Sequence, residues 1–460
     1  MPDILTRLQT ALGDAAVLSG AAVRARSAGI WGPEHCLEAD ILVRPSDTDG
    51  VSRALRICHA AGQAVVVHGG LTGVVDGAHA GSGDVVLSLE RLTGIEDCDP
   101  LGATLTVRAG TTLQQVQEAA EEHELMFPLD LGARGSATIG GNAATNAGGN
   151  RVIRYGMMRS LVLGLEAVLA DGTVLTSMNR MLKNNAGYDL KQLFIGTEGT
   201  LGVVTRLVLR LVPKPASQDT ALVAVPDFAA LCRLLGHAGA ALGGTLSAYE
   251  VMWQDFYTFV VNGQSRAAPP LSGEYPYYVL IESLGADPAG DAERFAAVMA
   301  EAMEQGLIVD AVIAKSRAEQ NSLWSIRDDV VQLLAIKPMF LFDVSLPLTD
   351  VETYIRGVRV RLAEAWPDHR LFVFGHLGDG NIHLAIAAGA ADGQARTAVE
   401  AIVYGPLAAV GGSVSAEHGI GLEKKPYLAW CRSATEIAMM RTLKQALDPK
   451  GILNPGKVLD

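Results

Sequence analysis

From Ile41 onward the chain alternates short β-rich apolar runs with longer stretches whose apolar residues recur at three and four positions. Ahead of that pattern, residues 3–18 carry Ile4, Leu5, Leu8, Leu12 and Val17, which predicts an amphipathic helix. ILVRPSD (41–47) reads as a strand and turn, and 47–61 as a helix capped by Ser46 or Asp47. AVVVHGG (64–70) reads as a strand that runs into glycines. DVVLSLERL (84–92) and ATLTVRAGTTL (103–113) continue the β pattern, and 113–124 returns to helical spacing. VLGLEAVLADGTVL (162–175) predicts two strands joined at Asp171-Gly172, a favoured hairpin turn pair. Pro213-Lys214-Pro215 interrupts the pattern and marks a domain boundary. Beyond it, the strands TALVAVP, YPYYVLIESL and FLFDVSLPL alternate with helices at 228–236, 292–305 and 350–365, and a last helix at 435–447 precedes LDPKGILNPGKVLD. The order predicts an α+β fold with an antiparallel sheet in the second half.

With 460 residues the chain is long enough for two or three domains, each with its own core. Hydrophobic residues make up 49% and charged residues 19%, the balance of a globular protein with a large interior. A net charge of −13 excludes nucleic acid as the expected partner, because phosphate binding needs concentrated positive charge. Cys36, Cys58, Cys98, Cys232 and Cys431 are odd in number, scattered and without a C-x-x-C pair, so they read as reduced thiols. No uncharged apolar run reaches the ~18 residues that span a bilayer, and the start MPDILTRLQTALGDAAVLSG lacks the pattern of a signal peptide. The expected location is cytoplasmic, either free or peripheral to the inner membrane.

Two stretches carry candidate chemistry. Between Gly132 and Gly149 lie six glycines, interleaved with Ser136, Thr138, Asn142, Thr145 and Asn146. Glycine allows left-handed backbone angles and close approach to a ligand, and small polar side chains hydrogen-bond without filling space. A flexible linker is the plainer alternative, but Ile139 and the alanines do not suit a solvated spacer. Composition says "backbone cradle" and does not name the ligand. The run Gly69-Gly70-Leu71-Thr72-Gly73 follows a strand and could turn its N–H groups to phosphate oxygens. The second stretch is LFVFGHLGDGNIHLAI (371–386). If Asp379-Gly380 is a two-residue turn, Gly378 pairs with Asn381, and His376 with His383. Opposed residues have Cβ atoms ~4.5–5.5 Å apart, so both rings could reach one metal at ~2.0–2.1 Å. Two histidines on an exposed hairpin remain the alternative.

The segment PLDLGARGSATIGGNAATNAGGNRVIRY (128–155) resembles the flavin-cradling stretch of the FAD-linked D-2-hydroxy-acid dehydrogenases, in the vanillyl-alcohol oxidase superfamily. D-2-hydroxyglutarate dehydrogenases, cytochrome-type D-lactate dehydrogenases and the glycolate oxidase flavin subunit form this group. The likeness runs from about Cys36 to the C-terminus and is strongest at 126–211 and 372–456. It implies a two-part PCMH-type FAD-binding domain at 36–215, after an N-terminal helical segment at 1–35. An α+β cap that holds substrate and metal follows at 216–430, and 431–460 packs back on the flavin domain. FAD would bind without a covalent link, so His68 is expected to be structural. The flavin contacts implied are Gly69, Gly70, Leu71, Thr72 and Gly73, then Gly135, Ser136, Ile139, Gly140, Gly141, Asn142, Thr145, Asn146 and Gly148. Gly199, Gly202 and Val203 would lie at the adenine and ribose end, where a buried strand with a glycine bulge is the even alternative. Asn454 would lie near the flavin.

In SVSAEHGIG (413–421) the resemblance assigns Glu417 as a third metal ligand beside His376 and His383, and His418 as catalytic base. Two histidines and a carboxylate leave positions open for substrate, with zinc or manganese the natural ions. Arg327, in WSIRDD, would grip the substrate carboxylate with its planar fork; a solvated helix charge beside Asp328 and Asp329 is the alternative. The implied reaction is removal of the 2-hydroxyl proton by His418 and hydride transfer from C2 to the flavin. Electrons would leave to an electron-transfer flavoprotein, cytochrome or quinone, and the reading leaves room for a homodimer. Rival readings are an enzyme like the alkyl-glycerone-phosphate synthases, which share the fold, and a non-catalytic flavin subunit. D-2-hydroxyglutarate dehydrogenases carry Thr, Lys and Asn for the substrate's polar groups where this chain has Val331, Leu341 and Ala385. That departure favours D-lactate or a larger apolar D-2-hydroxy acid, with Lys337, Lys424 or Lys425 as potential replacements for the lost lysine.

Overall fold

The computed structural model describes residues 3–29, 35–263 and 269–460. Residues 1–2 and 30–34, within the expected N-terminal segment 1–35, lie outside the described residues. The chain forms two compact units: residues 1–149, 156–214 and 417–460 make the first, and 150–155 with 215–416 the second.

The first unit holds a four-stranded sheet in the order Val17–Ser19, Ile41–Val43, Val85–Ser88, Val65–His68, in which the last three strands run parallel. Thr48–Ala61 crosses between two of these strands, capped by Asp47 Oδ1, which accepts from the Gly50 N–H at 2.7 Å. The first helix is shorter than its apolar spacing predicts. It runs Ile4–Leu12 and stops at Gly13, whose φ of +83° cannot continue it, so Val17 is a strand residue. A second, five-stranded antiparallel sheet is built from Ile95–Asp99, Thr104–Arg108, Val203–Arg210, Val162–Val168 and Val174–Ser177. Its inner residues, among them Leu105, Val107, Leu165, Val203 and Leu207, close one core with Leu55, Leu113 and Ile139.

The second unit is a seven-stranded antiparallel sheet in the order Asp310–Ile313, Ser217–Val225, Tyr277–Gly285, Leu246–Trp253, Arg370–His376, Asn381–Ala387, Phe340–Ser345. The helices Gln254–Val261 and Arg317–Asp328 pack Phe256, Val260, Leu323 and Ile326 against Phe372, Phe374 and Ala385. Leu246–Trp253, absent from the strands expected for this half, is central, with all eight residues buried; Arg370–His376 beside it is the first strand of the expected hairpin.

A buried strand normally excludes charge, yet Tyr277–Gly285 contains Glu282 at 0% exposure. Its Oε1 accepts from Arg151 Nε (2.9 Å) and Ser247 Oγ (2.7 Å), and its Oε2 from Arg151 Nη2 (3.2 Å), Gln218 Nε2 (2.7 Å) and Trp324 Nε1 (3.1 Å). Arg151 thus ties residues 150–155 into the second unit. Replacing Glu282 with Ala leaves these donors facing each other and should cost about 3–5 kcal/mol, read as a shift in the denaturant midpoint. A loss below about 1 kcal/mol would contradict this account of the sheet.

Candidate active site

The two glycine-rich segments of the first unit are packed on each other. A side chain at Gly69 would meet Thr138 Oγ1 at 2.8 Å, and one at Gly70 would meet the Ser136 carbonyl oxygen at 2.0 Å. Gly73 has open space around it, and Leu71 sits at φ +55°. The expected cradle is partly a helix: Ile139–Thr145 is helical, with Thr138 as its cap and Asn146 ending it at φ +50°. Several glycines there serve chain-to-chain packing. A Cβ on Gly140 would lie 2.6 Å from Ala109 Cβ, and one on Gly149 only 1.8 Å from the Asp130 oxygen. Gly135 faces Gln114 Oε1, Gly148 is buried, and Ile139 and Val203 point into the core. Thr145 Oγ1 donates to the Gly141 carbonyl, and Asn146 Oδ1 accepts from the Arg159 N–H.

Two features fit a bound polar cofactor. Asn142 is buried with no protein partner for Oδ1, and buried polar atoms are rarely left so. The closely packed backbone turns at 69–73 and 135–141 also present little side-chain bulk. Asn454 is a clamp in the same unit. Its Oδ1 accepts from the Val67 N–H at 2.8 Å and its Nδ2 donates to the Glu198 carbonyl at 2.5 Å. A side chain on Gly199 would strike that amide. Glu198 in turn accepts the N–H groups of Ile420 (2.7 Å) and Gly421 (2.8 Å), which fixes the turn after His418. Burial raises the Glu198 carboxyl above its ordinary value, against those two bonds and Lys424.

In the second unit the hairpin register differs from the expected one. Leu377–Asp379 forms a turn of 3-10 helix closed by Gly380 at φ +81°, a four-residue connection where a two-residue turn was expected. His376 therefore pairs with Asn381, and His383 with Phe374. The two histidines still share a face, because a shift of two residues preserves side-chain direction. They are diagonal neighbours, with ring centroids 5.3 Å apart. Asp343 lies directly opposite His383 on the other side. The loop Ser413–Ala416 is tied to this edge: Ser413 bridges Ser345, and the Ala416 N–H donates to Asp343 Oδ2 at 3.0 Å. Glu417 is the next residue. Among the described residues, His376, His383 and Glu417 have ligand atoms within 4.8 Å of one another. Two imidazoles and a carboxylate suit a divalent transition metal. His418 is half-buried.

Arg327 is buried on Arg317–Asp328, not a solvated helix charge. Its Nε donates to Glu250 Oε2 at 2.7 Å, its Nη2 lies 3.1 Å from His376 Nε2, and its guanidinium sits over Phe374 at 5.5 Å. Glu250 Oε1 accepts from His376 Nδ1 at 2.7 Å. Burial would raise the Glu250 carboxyl, but His376 and Arg327 outweigh it and hold it below the ordinary value. Glu250, Glu198, Asp343 and Asn381 were missed in the sequence. The signal for Glu250 and Asp343 is an acid inside an otherwise apolar strand. Asn381 is 4% exposed, and neither atom of its amide has a partner in the protein.

This is the fold of the PCMH-type flavoproteins. p-Cresol methylhydroxylase with substrate bound superposes with a TM-score of 0.80, at 15% identity, over 99% of this chain and 96% of that one. An alkyldihydroxyacetonephosphate synthase gives 0.75 at 16% identity, over 99% and 84%. The pattern described as "FAD linked oxidases, C-terminal domain" matches residues 214–458, and "FAD binding domain" matches 39–177. Mitochondrial D-2-hydroxyglutarate dehydrogenase of Bos taurus is 40% identical over 91% of this chain and 76% of its own length. The D-2-hydroxyglutarate dehydrogenase of Xanthomonas citri pv. viticola is 41% identical over 90% and 88%. A Schizosaccharomyces pombe protein provisionally named a mitochondrial D-lactate dehydrogenase is 36% identical over 93% and 83%. The chain belongs to the FAD-linked oxidases, in the branch of the D-2-hydroxy-acid dehydrogenases, and is a FAD-dependent oxidoreductase acting on CH–OH groups.

His68, at the end of Val65–His68, is buried, and its Nε2 lies 2.8 Å from the Ala78 carbonyl oxygen. Burial, with smaller contributions from Arg26 and Lys457, lowers its pKa from 6.5 to about 4 despite that bond. The folded state therefore keeps the ring neutral while the unfolded chain protonates it, so stability present above pH 6.5 is lost as pH falls toward 4. Between pH 7 and pH 5 the wild type should lose about 2 kcal/mol more than His68→Gln in denaturant unfolding. Equal losses would contradict this placement of His68.

Proposed function

We propose that this chain oxidises a D-2-hydroxy acid with a short or apolar side chain, of the D-lactate type, to the 2-oxo acid. The observation that carries the substrate choice is the composition of one sheet face. Glu250, His376, Asn381, His383 and Asp343 occupy its polar end. Two residues beyond His383 the same face turns apolar, with Ala385 fully buried between its cross-strand partners Phe372 and Leu341. Val331 and Leu341 are 63% and 57% exposed, in the positions where the dicarboxylate pattern has Thr and Lys. A second carboxylate placed among these three residues would meet apolar side chains in place of the Thr, Lys and Asn of the dicarboxylate pattern, and would lose the ion pair and hydrogen bonds they offer.

In this reading His376, His383 and Glu417 hold a zinc or manganese ion, which would polarise the substrate's hydroxyl. Arg327 orients the carboxylate, and its Nε bond to Glu250 fixes the plane in which the fork is offered. His418 takes the hydroxyl proton, work suited to a neutral imidazole near its own pKa. Residues 69–73, 135–149 and 199–203 would hold FAD without a covalent link, and the cofactor would supply the acceptor for the hydride that leaves C2 of the substrate. Electrons then pass to a flavoprotein, cytochrome or quinone. The site of action is the cytoplasm, free or at the inner membrane; among the described residues no helix is long and apolar enough to cross a membrane.

D-2-hydroxyglutarate is the second reading, favoured by the names of the bovine and Xanthomonas relatives. Lys337 is exposed next to this region and is the lysine best placed in sequence to supply a replacement charge. The two readings part on kcat/KM. D-lactate and D-2-hydroxybutyrate should exceed D-2-hydroxyglutarate, and a tenfold preference for the dicarboxylate would reverse the assignment.

The metal reading is tested separately. His376→Ala and His383→Ala should abolish turnover and leave FAD bound, and a chelator-treated enzyme should recover with added zinc or manganese. Full activity in metal-free enzyme contradicts it. His418→Asn should lower kcat by at least ~100-fold, the usual scale for a general base.

A further inference from the structure

We infer that Glu250 is the positioning residue that decides which nitrogen of His376 can bind a metal, and that it sets the plane of Arg327 at the same time. The inference rests on the metal reading above and adds the residue that organises it.

Leu246–Trp253 is buried throughout, and Glu250 is its one charged residue. It lies directly across the sheet from His376, at a cross-strand position where Cβ atoms are ~4.5–5.5 Å apart. Each carboxylate oxygen takes one N–H: Oε1 from His376 Nδ1 and Oε2 from Arg327 Nε, both at 2.7 Å. The third side of the triangle is Arg327 Nη2 to His376 Nε2, at 3.1 Å. Arginine has only N–H donors, so the nitrogen it faces must offer a lone pair. A ring protonated at Nε2 would set donor against donor. The bonding therefore assigns the proton of His376 to Nδ1 and the lone pair to Nε2. A lone pair on Nε2 is what a metal needs, and a carboxylate holding the other ring nitrogen is the usual second support of a metal-binding histidine. A metal at Nε2 would displace the Nη2 contact while the Nε bond to Glu250 keeps the guanidinium in plane. Glu250 is thus a positioning residue with two outputs, one for the ion and one for the substrate's carboxylate.

Glutamine at position 250 keeps the size and one acceptor oxygen but puts an NH2 where the second oxygen was. If that NH2 faces His376, it needs the lone pair at Nδ1 and moves the proton to Nε2, where metal binding is blocked. Facing Arg327 it would set donor against donor, which the histidine can avoid by changing tautomer and the arginine cannot, so the NH2 turns to His376. The test uses FAD-loaded wild type, Glu250→Gln and His376→Ala, each stripped of metal and titrated with Co2+, read by its visible ligand-field absorption. The expected result is roughly 10–100-fold weaker Co2+ binding in Glu250→Gln. Turnover of D-lactate should be lost at limiting Co2+ and restored by excess, a rescue that a purely structural defect would not show. Wild-type Co2+ affinity in Glu250→Gln, with binding lost in His376→Ala, overturns the inference and leaves the metal reading standing. Wild-type affinity in His376→Ala overturns the metal reading, and this inference with it. If Glu250→Gln does not yield FAD-loaded protein, Glu250→Asp replaces it. The shorter side chain withdraws the carboxylate from at least one partner, so weakened Co2+ binding supports the role and unchanged binding refutes it.

Discussion

A carboxylate inside an apolar sheet is tolerated only if its charge and both oxygens are satisfied, and the second unit meets that demand at Glu250 and at Glu282. Glu250 is satisfied by His376 and Arg327, Glu282 by Arg151 and three neutral donors. Desolvating each ion costs several kcal/mol, so the partners are held in place as firmly as the acid itself. Around Glu282 the outcome is architectural, since Arg151 brings a remote stretch of chain onto the sheet. Around Glu250 it is chemical, because the partners are the residues assigned to metal and substrate.

The first unit solves a different problem, that of presenting backbone to a large polar cofactor. Its two glycine segments come so close that side chains at Gly69 and Gly70 would collide with Thr138 and Ser136. Glycine here permits backbone to meet backbone, and the surface left over has little side-chain bulk. Asn454 joins the strand ahead of the first glycine turn to the turn at Glu198 and Gly199. The same Glu198 fixes the peptide groups of Ile420 and Gly421. A clamp and a buried acid thereby couple the strand ahead of the first glycine turn, and the turn at Glu198 and Gly199, to the segment that carries His418.

Much of this was legible in the sequence, where local chemistry decides. Asp47, one of the two caps expected for 47–61, caps the helix that follows it, and the apolar runs became strands. The shared face of His376 and His383 was legible too, because side chains alternate with period two. Their register was not: it depends on whether the connection has two residues or four, which Gly380 and the turn at Leu377–Asp379 settle only in three dimensions. The glycines were read as facing a ligand, whereas Gly140 and Gly149 face Ala109 and Asp130. The role of Glu250 was hidden for a physical reason. An acid in an apolar run stands out locally, but its partners Arg327 and His376 are 77 and 126 residues away, so the run does not show what it holds.

Flavin-dependent oxidation of the D-enantiomer is the claim on which the whole account depends. It is tested most directly by anaerobic titration of the purified flavoprotein with matched D- and L-2-hydroxy acids, following the flavin absorption and the 2-oxo acid formed. The account predicts that a D-2-hydroxy acid bleaches the flavin, with one 2-oxo acid per flavin reduced, while its L-enantiomer leaves the absorption unchanged. Bleaching by the L-acid alone, or by neither across the series, would contradict it.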